Sequence, residues 1–227
     1  MLKDIYGMTQ EENIFCAKRI LVDSIYKQAR LEGIAVTFAS THDILNNVNV
    51  EGLQPKDMSK VFCLRDGWQY LFQHLNDDLN LVFLEELHEL IARFDVDFNK
   101  LGKFRDHDVL ISGTDWRPPI PSTDSINELC DVLKLQGNAS DTEKAIKTGL
   151  YLMRMQLFSD GNKRIGSFVI NKILIEKGRG IFNVPVELDG TFKQMLVDYY
   201  ESDNPEPLTN WVYENCLTGT TKALDSF

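Results

Sequence analysis

Gln156-Leu-Phe-Ser-Asp-Gly-Asn-Lys-Arg164 joins two segments of helical periodicity by a very short connection, so Gly161 and Asn162 fall at the start of the second helix. The first N–H groups of a helix lack intrahelical partners and carry the positive end of its dipole. A glycine there lets a ligand come close to the backbone, which makes the turn a ready anion site. Lys163 and Arg164 add cationic donors, and an arginine can grip a phosphate through two parallel hydrogen bonds. Asp160, beside a bound phosphate, suits Mg²⁺, which takes one or two carboxylates with phosphate oxygens and water. Asp-Gly-Asn is equally ordinary turn chemistry, and Lys-Arg in a first helical turn is often a solvated face. Taken alone, the loop supports both readings.

The flanking sequence reads as helices. Ser140 and Glu143 form a capping-box pattern ahead of Ala145, Ile146, Leu150, Tyr151 and Met153. After the loop, Ile165, Phe168, Val169 and Ile173 share a face until Gly178. Helices also fit Gly190 to Tyr200 and Pro207 to Leu217. Towards the N-terminus, Thr9 with Glu12 opens a helix whose apolar residues (Ile14, Phe15, Ile20, Leu21, Ile25, Ala29) recur at helical spacing to Gly33. A short helix is expected from Ser40 through Leu45, another from Pro55 through Phe72, and a buried central one over Leu79 to Phe94. Val109, Leu110 and Ile111, ahead of Ser-Gly and Pro-Pro, give the chain's one convincing β signal, a short strand or hairpin. No repeat, low-complexity segment or linker interrupts this pattern. The economical organisation is one mainly α domain over 1–227, with N-terminal helices in 1–100 and the site-bearing core in 101–217.

Composition narrows the function. Of 227 residues, 43% are hydrophobic and 26% charged, enough apolar surface for a core without disulfides or metals. A net charge of −10 argues against a nucleic-acid binder that depends on phosphate contacts. The four cysteines (Cys16, Cys63, Cys130, Cys216) are scattered, with no zinc-type spacing, and read as buried apolar residues in a reducing compartment. No apolar run reaches the roughly 20 residues of a membrane span, and the first residues lack a signal-peptide pattern. The expectation is a cytoplasmic protein with no membrane partner.

The loop resembles the signature of the Fic/Doc (fido) family, His-x-Phe-x-Asp/Glu-Gly-Asn-Gly/Lys-Arg. Phe158, Asp160, Gly161, Asn162, Lys163 and Arg164 match it in order and spacing, and Asn171 falls where the family's second helix often has asparagine. Gly102-Lys-Phe-Arg105 through Val109-Leu-Ile-Ser-Gly113 and Pro118-Pro119 resembles the family's flap, a hairpin that docks the target peptide. Leu31-Glu32-Gly33, followed by Thr37 and Asp43-Ile-Leu45, resembles the inhibitory element of the class carrying it near the N-terminus, here expected on a helix over 11–33. The resemblance implies a Fic-type helical bundle with a small β-hairpin flap. It further implies ATP with Mg²⁺ on Asp160, phosphates cradled by Gly161 and Asn162, charge neutralised by Arg164, Phe158 as a core anchor, and inhibition through Glu32 and Gly33. Lys163 and Asn171 complete the implied nucleotide-binding set, and Val109, Leu110, Ile111, Ser112 and Gly113 would dock an unidentified protein target. A homodimer is compatible with it.

The departures from the pattern fall on the chemistry. Typical members move AMP from ATP to a protein hydroxyl (AMPylation) and use the first histidine of the signature as general base. Gln156 stands there, and a neutral amide cannot take a proton, at a cost of ~10²–10⁴ in rate. Ser167 replaces a second arginine that would pair with the inhibitory glutamate, so Glu32 is either a relic or contacts Arg164 or Lys163 instead. Gln28 stands where a Ser or Thr is usual. Of the four histidines, His88 reads as a helix residue and His107 is the only one expected near a target peptide. The resemblance thus points to an ATP-binding protein with impaired AMP transfer. A non-catalytic binding or regulatory protein, or a transferase of another phosphate group, are the alternatives.

Overall fold

The computed structural model describes residues 1–220, so the 221–227 end of the expected domain lies outside the described residues. Ten α-helices and one small antiparallel sheet make up the described residues, matching the mainly helical class. The centre is a helix pair, α7 (Asp141–Met155) and α8 (Asn162–Glu176). From Ile165 to Ile175 every residue of α8 is buried, as expected of a helix wrapped by neighbours on all sides. The pair approaches backbone to backbone. A Cβ on Gly149 would lie 2.6 Å from the Gly166 carbonyl oxygen, and one on Gly166 would lie 2.5 Å from that of Gly149.

Around this pair lie α4 (Pro55–Gln73) and α5 (Leu81–Ile91). Trp68 of α4 meets Phe168 of α8 edge-on at 5.7 Å, and its indole N–H donates to Gln28 Oε1 at 2.9 Å. The Thr9–Glu12 capping box forms as expected, but the helix it opens is not continuous over 11–33. It divides at Ile20 into α1 (Gln10–Arg19) and α2 (Leu21–Leu31). The break changes the buried face: α1 buries only Asn13 and Ala17 and leaves Phe15 exposed, whereas α2 buries Ser24, Ile25, Gln28, Ala29 and Leu31. The next helix, α3 (Phe38–Leu45), starts from a Thr37 cap, ahead of the expected Ser40. Sequence reading missed α6 (Thr123–Leu133), capped by Ser122.

Two further expectations need correction. Ser140 caps α7, but Glu143 does not complete a capping box; its carboxylate instead accepts from Leu2 N–H at 2.7 Å and pairs with Lys147 at 2.8 Å. The β structure is also elsewhere. Strands β1 (Ile181–Phe182) and β2 (Leu217–Thr218) pair antiparallel, while Val109–Ile111 forms no strand. A strand needs a ladder partner, and the 105–119 segment is held by a side chain instead, as described below. The last helices, α9 (Asp189–Ser202) and α10 (Glu206–Asn215), lie where periodicity put them. No described helix is long and apolar enough to cross a membrane, and the four cysteines are free thiols.

Because the α7–α8 contact is backbone on backbone, Gly166→Ala should destabilise by about 1–3 kcal/mol through overpacking, although alanine is the better helix former. Urea unfolding of the two proteins checks this. A midpoint equal to or above the parent's would refute the tight crossing.

Candidate functional site

The α7–α8 connection turns on two residues in the left-handed region. Gln156 ends α7 at φ 50°, ψ 56°, and Gly161 precedes α8 at φ 82°. Asn162 holds the turn from inside. Its Oδ1 accepts from Phe158 N–H at 3.0 Å, while its Nδ2 donates to Phe158 O at 2.8 Å and to Gln156 Oε1 at 3.0 Å. The Gln156 amide is engaged on its other side as well, donating to Met153 O at 2.6 Å. Asp160 accepts from Gly161 N–H at 2.5 Å.

Two buried side chains that sequence reading did not assign to the site fix this loop to its surroundings. His88, fully buried on α5, stacks on Phe158 with ring centroids 3.9 Å apart. Its Nδ1 accepts from Gly102 N–H at 2.9 Å, which leaves Nε2 protonated to donate to Asp160 O at 3.2 Å. Burial pushes the imidazole down to about 4, so it is neutral near pH 7. Arg105, 3% exposed, spends its guanidinium on carbonyls: Gln156 O at 2.6 Å, His107 O at 2.8 Å, and Pro119 O at 2.6 Å. It thereby draws both ends of the 107–118 excursion against the loop, which is what replaces a hairpin ladder there.

The ionic centre lies behind the loop. Arg164, 6% exposed, donates to Ile91 O at 2.6 Å and to Asp95, and lies 3.2 Å from Glu32 Oε2 and 3.4 Å from Asp160 Oδ1. Lys60 meets Asp95 at 2.6 Å and Lys163 meets Glu32 at 3.5 Å. Burial alone would raise the Asp95 carboxyl, but the Arg164 and Lys60 charges outweigh it and hold the group below the usual carboxylate range. Glu32 contacts both Arg164 and Lys163, the alternative partners expected for it once Ser167 replaced the second arginine. Ser167 itself donates to Lys163 O at 2.9 Å.

A cavity of about 440 Å³ opens over the loop. Glu32, Gln156, Asp160, Gly161, Asn162 and Lys163 line one side, and Val109, Leu110, Ile111 and Ser112 form its lip. Its far wall comes from α9, where Lys193, Leu196, Val197 and Tyr200 carried no local sequence signal. Several expected site residues lie outside it. Phe158 is a buried anchor, as expected. Arg164 is turned to its carboxylates rather than to the cavity. Gly33, at φ 79°, ends α2, and Gly113, at φ 90°, completes a turn beyond the lip. Asn171 is wholly buried and bridges Phe182 N–H at 2.8 Å and Phe182 O at 3.0 Å, so it fastens β1 to α8. That burial removes it from the nucleotide-contacting set to which its family position had assigned it.

The neutral, buried His88 has a consequence for stability. Its folded value near 4 lies below the ordinary 6.5 of an exposed imidazole, so between these values the unfolded chain takes a proton that the folded chain refuses. Its contribution is complete above pH 6.5 and lost as pH falls through 4, a difference of about 3 kcal/mol. Unfolding free energies at pH 7 and pH 4 should therefore differ by less in His88→Gln than in the parent; an equal loss in both proteins would exclude this role.

Residues 78–174 match the model of the Fic/DOC family. No curated protein matches the chain in sequence. Among solved structures, a Fic-domain-containing signaling protein from Bacteroides thetaiotaomicron superposes at a TM-score of 0.75 and 19% identity, over 90% of this chain and 85% of that one. Fic-1 (residues 134–508) from C. elegans superposes at 0.71 and 18% identity over 88% of this chain, which spans only 62% of that solved chain. BepC from Bartonella tribocorum, solved with bound AMPPNP, gives 0.50 and 14%, over 70% of this chain and 86% of its own. The protein has the Fic fold, and its residues 78–174 match the Fic/DOC family model.

Proposed function

We propose that the cavity holds a nucleoside triphosphate, and that the protein is a nucleotide-binding member of its family whose transfer of AMP to a docked protein hydroxyl is strongly slowed. One observation carries the reading: a single cavity of about 440 Å³ gathers Glu32, Gln156, the Asp160–Lys163 turn and the Val109–Ser112 lip, segments that sequence resemblance nominated separately. The volume falls in the range of small-molecule sites. BepC's bound AMPPNP shows that a protein of this fold accommodates an ATP analogue.

The residues divide the work. Backbone N–H groups at the start of α8 would meet the phosphates, with Lys163 and Lys193 as the cations facing the cavity. The half-exposed Asp160 carboxylate fits Mg²⁺. Although no cluster of three metal-ligating side chains exists among the described residues, a magnesium ion carried on phosphates needs only one or two carboxylates. When bound, that ion neutralises phosphate charge. An extended target backbone would lie along the Val109–Ser112 lip. In the absence of phosphate, Glu32 occupies Lys163 and Arg164 and so competes with it.

The slowing follows from Gln156. Its amide has no basic lone pair, and its polar atoms are committed to Met153 and Asn162. That double engagement also favours a second reading, a purely binding or regulatory protein in which residue 156 braces the loop.

Mg²⁺-ATP should raise the melting temperature, and Glu32→Gly should enlarge that shift by freeing Lys163. With labelled ATP and candidate protein targets, Gln156→His should transfer label ~10²–10⁴-fold faster than the parent. No thermal shift with ATP would remove the nucleotide reading. Rapid transfer to a target protein by the parent would show that Gln156 does not disable the site.

A further inference from the structure

A basic nitrogen and a hydroxyl meet beside this loop, away from position 156: the hydroxyl lines the cavity just described and the nitrogen lines the one behind the loop. Ser159, inside the loop, has its Oγ 3.4 Å from Nε2 of His107. His107 Nδ1 in turn lies 3.0 Å from Asp106 Oδ1. A carboxylate only accepts, so the ring proton sits on Nδ1 and the Nε2 lone pair faces the serine hydroxyl. The arrangement of nucleophile, base and orienting acid is that of an activated serine, at the looser spacing common before a ligand closes the site. Its placement is built into the fold, because buried Arg105 binds the His107 carbonyl and the Gln156 carbonyl with one guanidinium. Ser159 lines the nucleotide cavity and also the cavity on the other side of the loop, where His107 and Asp160 join it.

We propose that Ser159 is the chain's own nucleotide acceptor, with His107 as its general base and Asp106 as a positioning residue. This rests on the nucleotide reading of the cavity. Ser159 Oγ bonds to the α-phosphorus of the bound nucleoside triphosphate while the bond from that phosphorus to the bridging oxygen breaks. Pyrophosphate leaves with the electron pair, and the hydroxyl proton passes to His107 Nε2. The product is a nucleoside monophosphate in phosphodiester linkage to Ser159. The residue at 156 cannot deprotonate a docked protein's hydroxyl, whereas His107 can deprotonate this one, so the acceptor moves from the target to the loop itself.

The test uses the full chain, ATP and Mg²⁺, with peptide mass mapping. A nucleoside monophosphate increment is expected on Ser159, absent in Ser159→Ala and formed ~10²–10⁴-fold more slowly in His107→Gln. Asp106→Asn should lower the maximal labelling rate while leaving the ATP concentration at half-maximal rate unchanged, because only the orientation of the base is lost. All three positions are at least partly exposed, and melting curves verify that the variants fold. A fluorophosphonate, which modifies activated serines without needing a nucleotide site, provides the second arm. It should label Ser159 in the parent, fail in His107→Gln, and be slowed by ATP. No modification of Ser159 by either reagent, in a protein whose melting temperature ATP raises, overturns the proposal and leaves the nucleotide reading intact. Fluorophosphonate labelling that ATP does not slow, with no thermal shift, supports the serine as a nucleophile but overturns the donor, and the proposal with it.

Discussion

The contact on which the rest depends is the crossing of α7 and α8 at Gly149 and Gly166. With no side chains between them, the two backbones touch, and the chain must reverse within a few residues of Met155. Such a reversal requires left-handed backbone, found at Gln156 and Gly161. Gly161 adopts it without steric cost, whereas a glutamine there is uncommon and needs its surroundings to hold it. Asn162, Arg105 and the amide of Gln156 itself supply that hold. The turn that could receive phosphate is therefore a consequence of how closely two helices pack.

The charges are arranged by the same geometry. Placing Arg164 in the first turn of α8 buries a guanidinium, and a buried charge is tolerable only when paired and hydrogen-bonded. Asp95 and the Ile91 carbonyl satisfy one nitrogen of it fully. Glu32 is different, because Arg164 Nε and Glu32 Oε1 lack a hydrogen-bond partner even though the ion pair is 3.2 Å long. The Asp95 contact is directional and structural, while the Glu32 contact is Coulombic and exchangeable. On the nucleotide reading, an incoming anion would displace the second without disturbing the first.

Much of this was legible in the sequence where the signal is local. The Thr9–Glu12 box, the apolar faces of α4 and α5, and the Asp160-Gly-Asn turn all follow from residues within a few positions of one another. What was missed depends on partners far along the chain. Val109-Leu-Ile111 has strand composition but no neighbour to pair with, and the buried arginine that shapes it binds carbonyls up to 51 residues away. Asn171 matches a family position, yet its amide meets the Phe182 backbone. The break at Ile20 lies inside an uninterrupted helical pattern, and the α9 wall of the cavity is set by tertiary packing. Fold class and loop were readable; the division of site residues between ligand and scaffold was not.

The histidines illustrate that division best. His42 and His74 face Asp43 and Asp77 away from the cavity. His88 touches the loop, but its accepting nitrogen is committed to Gly102 N–H and burial keeps it neutral, so it serves as a clamp between the loop and the 102–119 segment. Gln156 offers an amide oxygen already accepting from Asn162. Only His107 directs a basic lone pair at a hydroxyl on this loop, and that hydroxyl belongs to the chain. Losing the histidine expected at position 156 therefore does not remove proton acceptance from the site; it moves it about the same turn, from the residue that would face a docked protein to one that faces Ser159.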